Sequence, residues 1–171
     1  MSITLRSLSR AELQVIAESG VPDGCATRME AGALPPAFVA RRSLSQLAAG
    51  KDPYWCSPFH ILREADGWIV GGCGFKDVPQ AGRVEIGYGV AAACRNSGVA
   101  TLAVLELLRL AFATDEVREV LAHISPANAA SARVAEKLGF AILDMITDDT
   151  GEPLLRWLAE RSSLSRGLAK A

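Results

Sequence analysis

Apolar and polar positions alternate through Ile3–Leu8, the period-two signature of a half-buried strand. Ser9 follows, and Glu12 stands at the capping-box position behind it, so a helix opens there. From Gly20 to Pro58 the periodicity fades. Pro35-Pro36 and Lys51-Asp52-Pro53 bracket one helical stretch, Ala37–Ala49, and the segment reads as an irregular, partly helical excursion. The pattern sharpens at Phe59. Two apolar runs, Phe59–Glu64 and Trp68–Phe75, flank Ala65-Asp66-Gly67, a hairpin signal. After a Pro/Gly loop (Pro79–Gly82), the run Arg83–Val90 puts Ile86, Tyr88 and Val90 on one side and Glu85, Gly87 and Gly89 on the other. Gly98–Ala113 has few polar positions and predicts a mostly buried helix. Glu119–Ile124 is a short β-rich run between helices, as expected of a central strand. Asn128–Leu138 predicts a second helix, stopped by Gly139. Ala141–Ile146 and Leu154–Leu158 predict a last hairpin around Asp148-Asp149-Thr150-Gly151, and the polar tail from Glu160 is expected to fray. The order is strand, helices, three strands, helix, strand, helix, two strands. A strand–helix–strand crossover thus interrupts an antiparallel meander, which predicts a mixed α/β sheet.

Composition narrows the function. The chain has 171 residues, half of them apolar, which suits one domain with a full core, expected to span 1–171. A formal net charge of −1 gives no electrostatic footprint for nucleic acid or an anionic membrane. Aromatics at 6% argue against a stacking platform for single-stranded bases. The cysteines Cys25, Cys56, Cys73 and Cys94 lack close-pair spacing, and the only histidines are His60 and His123, so no metal site is expected. The cysteines read as reduced, buried or semi-buried side chains of a cytoplasmic protein. No signal peptide is read at the N-terminus, and Glu106 and Arg109 interrupt the most apolar stretch, Val99–Phe112.

The stretch from Arg83 to Thr101 carries the chemistry: a strand, a loop of small residues, then a helix N-terminus. Such a terminus leaves backbone N–H groups unpaired and adds partial positive charge, so a pyrophosphate can be held there without a dedicated cation. Gly98 lets a phosphate approach the backbone where a β-carbon would stand in its way. The loop is neither a Walker A motif, since no Lys-Ser/Thr follows, nor the three-glycine dinucleotide fingerprint. A buried strand–turn–helix in which Gly98 only relieves packing is the plain alternative.

A second segment, Ser125–Phe140, follows the next strand. Together the two resemble the GNAT superfamily of acyl-CoA-dependent N-acetyltransferases. The first looks like its pyrophosphate loop, with Arg95, Gly98 and Ala100 in the pattern (Gln/Arg)-x-x-Gly-x-(Gly/Ala). The second is similar to its Asn-x-x-(Ala/Ser) helix ending in Leu-Gly-Phe, at Asn128, Ser131 and Leu138-Gly139-Phe140. The Glu-Ile-Gly-Tyr strand and Ser131 point towards the ribosomal-protein N-acetyltransferase branch. The resemblance covers Phe59–Phe140 and implies a mostly antiparallel sheet of about six to seven strands flanked by helices. It also implies a splayed strand pair that holds acetyl-CoA as cosubstrate.

In that reading the pantetheine arm borrows backbone groups of Tyr88, Gly89 and Val90. The pyrophosphate meets the amides of Arg95, Asn96, Ser97, Gly98, Val99 and Ala100, and Arg95 adds charge pairing. Asn128 contacts CoA or serves only as an N-cap. An amine attacks the thioester directly, and a lysine amine with a pKa of about 10.4 asks more of a base than an α-amine near 8. Glu85, acting through a water, is the candidate base; pairing with Arg83 or a neighbouring cation is its plain alternative. Many relatives carry a tyrosine seven residues after the asparagine; here that residue is Ala135, and Ser131 is the candidate acid or else a first-turn cap. His60 and His123 read as satisfied core histidines, Cys94 as a small loop residue, and Trp55, Trp68 and Trp157 as packing anchors. Tyr54-Trp55 are candidates to line the acceptor mouth.

The first functional hypothesis is therefore acetyl transfer to a primary amine, either a protein N-terminus or a small molecule. A CoA-binding sensor or interaction module without useful catalysis is the second, and a ligand-free α/β domain the third. Family habit suggests a homodimer paired through the C-terminal strand.

Overall fold

The computed structural model describes residues 1–162. Its seven strands form a sheet in the order β1-β2-β3-β4-β5-β7-β6. The strands are β1 (Ile3–Ser7), β2 (Phe59–Arg63), β3 (Trp68–Phe75), β4 (Arg83–Val90), β5 (Glu119–Ile124), β6 (Ala141–Thr147) and β7 (Pro153–Glu160). The helices are α1 (Arg10–Ala17), α2 (Ala37–Ala48), α3 (Pro53–Cys56), α4 (Val99–Phe112) and α5 (Ala129–Lys137). The sheet is mixed and mostly antiparallel: β4 and β5, joined by α4, run parallel, as a crossover requires. The chain groups into two compact units, Met1–Val78 with Gly87–Ala103, and Pro79–Ile86 with the chain from Val104 onward.

In the first unit, Ser9 and Glu12 form the expected capping box at the start of α1. Leu8 and Leu13, on either side of that cap, share one apolar cluster with Ile16 and Ala40, so a hydrophobic staple fixes the chain's entry into the helix. The 20–36 segment is irregular, as its sequence predicts. It is held by the bridge Met29↔Ile69 and by a second cluster of Cys25, Ala33, Ile69 and Ala91. The Lys51-Asp52-Pro53 break turns out to start a helix: Asp52 caps the amide of Tyr54 at 2.9 Å, with Pro53 in the first turn. Gly71 on β3 lies so close to β4 that a methyl there would collide with the Gly89 carbonyl oxygen.

In the second unit, the parallel ladder joins Arg83–Ile86 to Glu119–Ala122, and Gly87–Val90 extend β4 beyond its last pair, Ile86↔Ala122. Val84, Ile86, Val120, Ala122, Ile124, Trp157 and Ala159 are buried on one side of these strands. Glu85, Leu121, His123, Arg156 and Leu158 alternate with them and are half-buried on the other. Two expectations change here. Glu160 belongs to β7, and Arg161 donates to the carbonyls of Phe112, Thr114 and Val117, closing the C-terminal end of α4. The tail therefore does not fray at its start; the rest of it, from 163, lies outside the described residues. In addition, the last strand inserts between β5 and β6, so both of its edges are occupied. Among the described residues, the C-terminal strand thus has no edge on which a second copy could pair, and the strand at that margin of the sheet is β6.

Candidate functional site

At the end of β4 the chain bends through a 3₁₀ turn, Ala92–Cys94, anchored by Ala91 N–H donating to Val70 O at 2.9 Å. Arg95, Asn96, Ser97 and Gly98 then form an exposed loop, while Val99 plunges into the core. Asn96 and Gly98 both adopt left-handed backbone, at φ 59° and 84°. Leu102 N–H donates to Gly98 O at 3.1 Å, which makes Gly98 the residue that closes the first turn of α4. The amides of Val99, Ala100 and Thr101 precede any possible i−4 acceptor within the helix, so the turn offers donors and a positive dipole end to an anion. Every residue assigned to the phosphate loop therefore lies in one continuous turn and helix start, exposed from Arg95 to Gly98. A β-carbon at Gly98 meets nothing within 4 Å, so Gly98 does not relieve packing, and its left-handed φ independently favours glycine.

Arg83, one partner the sequence reading allows Glu85, is engaged elsewhere. Arg83 pairs with Glu119, directly opposite in the β4–β5 register, and Arg156 pairs with Asp144 across β7 and β6. Glu85 Oε1 lies instead 3.1 Å from Nδ1 of His123. Glu85 is in register with Leu121, and His123, two residues on along β5, points to the same side. His123 is consequently not a core histidine, and its side chain is 19% exposed beside a Glu85 side chain at 25%. Sequence reasoning missed this pair, which only the parallel register creates.

Asn128 is the N-cap of α5, its side-chain oxygen accepting from the Ser131 amide at 3.0 Å. Ser131 itself is half-buried in the first turn. Ala135, where relatives carry tyrosine, is buried. Tyr88 is half-buried on β4. Trp55 is core, edge-on to Phe75, so of the pair Tyr54-Trp55 only Tyr54 is exposed. The four cysteines are free and buried, Cys94 with Arg63 Nη1 3.8 Å from its sulfur.

A second cluster, also missed in the sequence, joins Arg6, Glu12, Cys25 and His60 in the first unit. The ligating atoms of Glu12, Cys25 and His60 all lie within 4.8 Å of one another. The Arg6 guanidinium forks onto both Glu12 oxygens, at 2.8 and 3.2 Å, and the Ser9 amide donates to Oε2 at 2.8 Å. Burial alone would raise the Glu12 pKa, but the Arg6 and Ser9 hydrogen bonds and the Arg6 charge together pull it down to about 2. His60 was expected to be satisfied, yet its fully buried ring has no hydrogen-bond partner, and Glu12 Oε1 stands 3.6 Å from Nε2. Burial, reinforced by the Arg6 charge and opposed by Glu12, pushes its pKa down to about 4. Among the described residues, no helix is long and apolar enough to cross a membrane.

No curated protein matches the sequence at a significant level. Solved structures do match the fold. Aminoglycoside acetyltransferase AAC(6')-Ib, with paromomycin and acetyl-CoA bound, superposes with a TM-score of 0.69 at 22% identity, covering 100% of both chains. A spermidine N-acetyltransferase SpeG chimera from Vibrio cholerae and hSSAT gives 0.68 at 13% identity, over 96% of this chain and 99% of the other. Mycobacterium smegmatis RimJ with CoA-disulfide gives 0.68 at 17% identity, over 98% of this chain and 88% of the other. Residues 3–141, most of the chain, match the model of the acetyltransferase (GNAT) domain, and the chain belongs to the GNAT acetyltransferases.

Proposed function

We propose that the protein moves the acetyl group of acetyl-CoA onto a primary amine, a protein N-terminal α-amine or a small-molecule amine. The observation that carries this reading is the exposed left-handed turn at Asn96 and Gly98 opening the N-terminus of α4. There the amides of Arg95–Ala100 meet the CoA pyrophosphate, and Arg95 adds charge. Gly87–Val90 extend β4 past its last pair with β5, which suits backbone bonding of Tyr88–Val90 to the pantetheine arm. Related folds have been solved with an aminoglycoside or named for spermidine, which supports an amine acceptor.

Chemically, the amine lone pair attacks the thioester carbonyl, a C–N bond forms, and the C–S bond breaks to release CoA. An amide N–H of the Tyr88–Val90 stretch stabilises the oxyanion, and Glu85 takes the amine proton through a water. Asn128 contacts CoA. Ser131 stands where the departing thiolate takes its proton; a thiol with a pKa of about 8.5 needs little help, so Ala135 in place of tyrosine slows the reaction without abolishing it. Buried Ala135 is also the feature that favours the second reading, a CoA-binding module of weak activity. Four buried, unpaired cysteines fit a reducing, cytoplasmic setting.

Calorimetric titration with acetyl-CoA, followed by an amine panel, tests the proposal. The wild type binds and turns over; folded Gly98→Val protein, strained at φ 84°, binds roughly tenfold or more weakly. Binding without turnover selects the module reading. Wild type that takes up no acetyl-CoA at millimolar concentration overturns both.

A further inference from the structure

In the first unit, Arg6, Cys25 and His60 converge on one oxygen of Glu12. Arg6 and His60 stand directly opposite each other in the β1–β2 register, so both side chains leave the sheet on the same face. Glu12 projects from the first turn of α1. Cys25 comes from the irregular 20–36 segment, where it packs with Ala33, Ile69 and Ala91. Glu12 Oε1 accepts from Arg6 Nη2 at 2.8 Å and also faces His60 Nε2 at 3.6 Å and Cys25 Sγ at 4.0 Å. The His60 separation is too long for a hydrogen bond. Neither ring nitrogen has a partner among the described residues, although the ring is fully buried. Glu12 is not free to swing towards it, because the Arg6 fork and the Ser9 amide hold both carboxylate oxygens. An unpaired buried polar group is costly, so this ring calls for a ligand.

The donor set indicates which ligand. One imidazole nitrogen, one thiol sulfur and one carboxylate oxygen all lie within 4.8 Å of one another. Tetrahedral zinc, with bonds of about 2.0–2.1 Å to N and O and about 2.3 Å to S, sets its ligand atoms roughly 3.3–3.6 Å apart. The 3.6 and 4.0 Å separations lie within about half an ångström of that range, a gap that small side-chain shifts close. Sulfur and imidazole donors favour zinc over magnesium or calcium, which take oxygen.

We propose that Glu12, Cys25 and His60 bind a zinc ion that pins the 20–36 segment to α1 and β2. Nε2 of His60, Sγ of Cys25 and the remaining lone pair of Glu12 Oε1 are its ligands, and a water completes the tetrahedron. Arg6 keeps its fork and orients the ligating carboxylate from outside. On binding, the Cys25 thiol gives its proton to solvent and ligates as thiolate, while His60 ligates as neutral imidazole; no electron is transferred. The doubly charged ion and its two anionic ligands are then neutral together. Coordination occupies one of the two orphaned nitrogens; without the ion both stay unpartnered. The role is structural and does not depend on acetyl transfer.

The test uses full-length protein without a histidine tag, stripped with EDTA. Zinc is titrated against a chromophoric chelator, and cobalt(II) is followed by absorption. One zinc per chain should bind at about micromolar concentration or below, releasing one proton. Cobalt should show the intense visible bands of a tetrahedral site and a thiolate charge-transfer band in the near ultraviolet. Zinc at a hundredfold excess over Kd should raise Tm by roughly 5–10 °C. E12Q, in which glutamine can keep the capping box, should bind zinc about tenfold or more weakly, as should H60Q and C25S. C25S should also lose the charge-transfer band. If metal-free C25S does not fold, C56S/C73S/C94S, which leaves Cys25 as the sole cysteine, decides: the band must persist.

Folded wild type that takes up no zinc at about 100 µM, as when a buried water bridges the three groups, overturns the proposal. Zinc held equally well by H60Q and C25S, or cobalt bound without the thiolate band, overturns it too. Failure to bind acetyl-CoA removes the transferase reading and leaves the zinc site standing.

Discussion

His60 is held out of water without a hydrogen-bond partner, and that has a consequence in solution. Its folded pKa, about 4, lies below the ordinary 6.5, so between these values the unfolded chain binds the extra proton. Stability from this group is complete above about pH 6.5 and is lost as pH falls towards 4. Between pH 7 and pH 5 the wild type should lose about 2 kcal/mol through His60. Glu12, depressed from 4.5 to about 2, contributes mainly below that window. Urea unfolding at the two pH values checks this: His60→Leu flattens the difference, and an equally steep loss in that variant assigns it elsewhere.

Local chemistry made other residues legible. Ser9 and Glu12 are three positions apart, so their capping box was readable without any tertiary knowledge. The partners of Glu85 and His60 were not, because each comes from a different strand or helix and depends on register.

Among the elements, β3 and β4 depend on the missing side chain of Gly71. A methyl there would collide with Gly89 O and lie 3.1 Å from Val90 Cα, backbone that cannot swing aside as a side-chain tip could. Gly71→Ala should therefore cost about 1–3 kcal/mol and displace Gly89–Val90. It should also weaken acetyl-CoA binding if Tyr88–Val90 hold the pantetheine arm. Thermal melts with and without acetyl-CoA separate the two effects: a destabilised protein with unchanged affinity removes that backbone from the cofactor site. Element boundaries were legible wherever periodicity was strong, as in β3, β4 and β5, whose limits match the sequence reading. The short helix α3 escaped because a proline break and a proline at a helix start look alike in sequence.

For the molecule as a whole, the chain passes from one compact unit to the other after Val78, Ile86 and Ala103. Two of those crossings fall inside continuous elements, β4 and α4. Melting one unit alone would break a strand and a helix part-way along their hydrogen bonds. The single-domain reading of 1–171 thus predicts one cooperative transition, with calorimetric and van't Hoff enthalpies equal. Two resolved transitions would divide the chain.

By itself, the sequence determined the element order, the crossover, the turn proposed to hold the pyrophosphate, and the family, because each rests on contacts between residues near in the chain or on backbone chemistry that glycine and caps announce. Only the tertiary structure decided that β7 inserts inside β6, that Arg161 closes α4, and that Glu85 meets His123 and not Arg83. Those outcomes follow from strand order and register. A shift of one residue turns a side chain to the opposite face of a strand, and no local pattern fixes it.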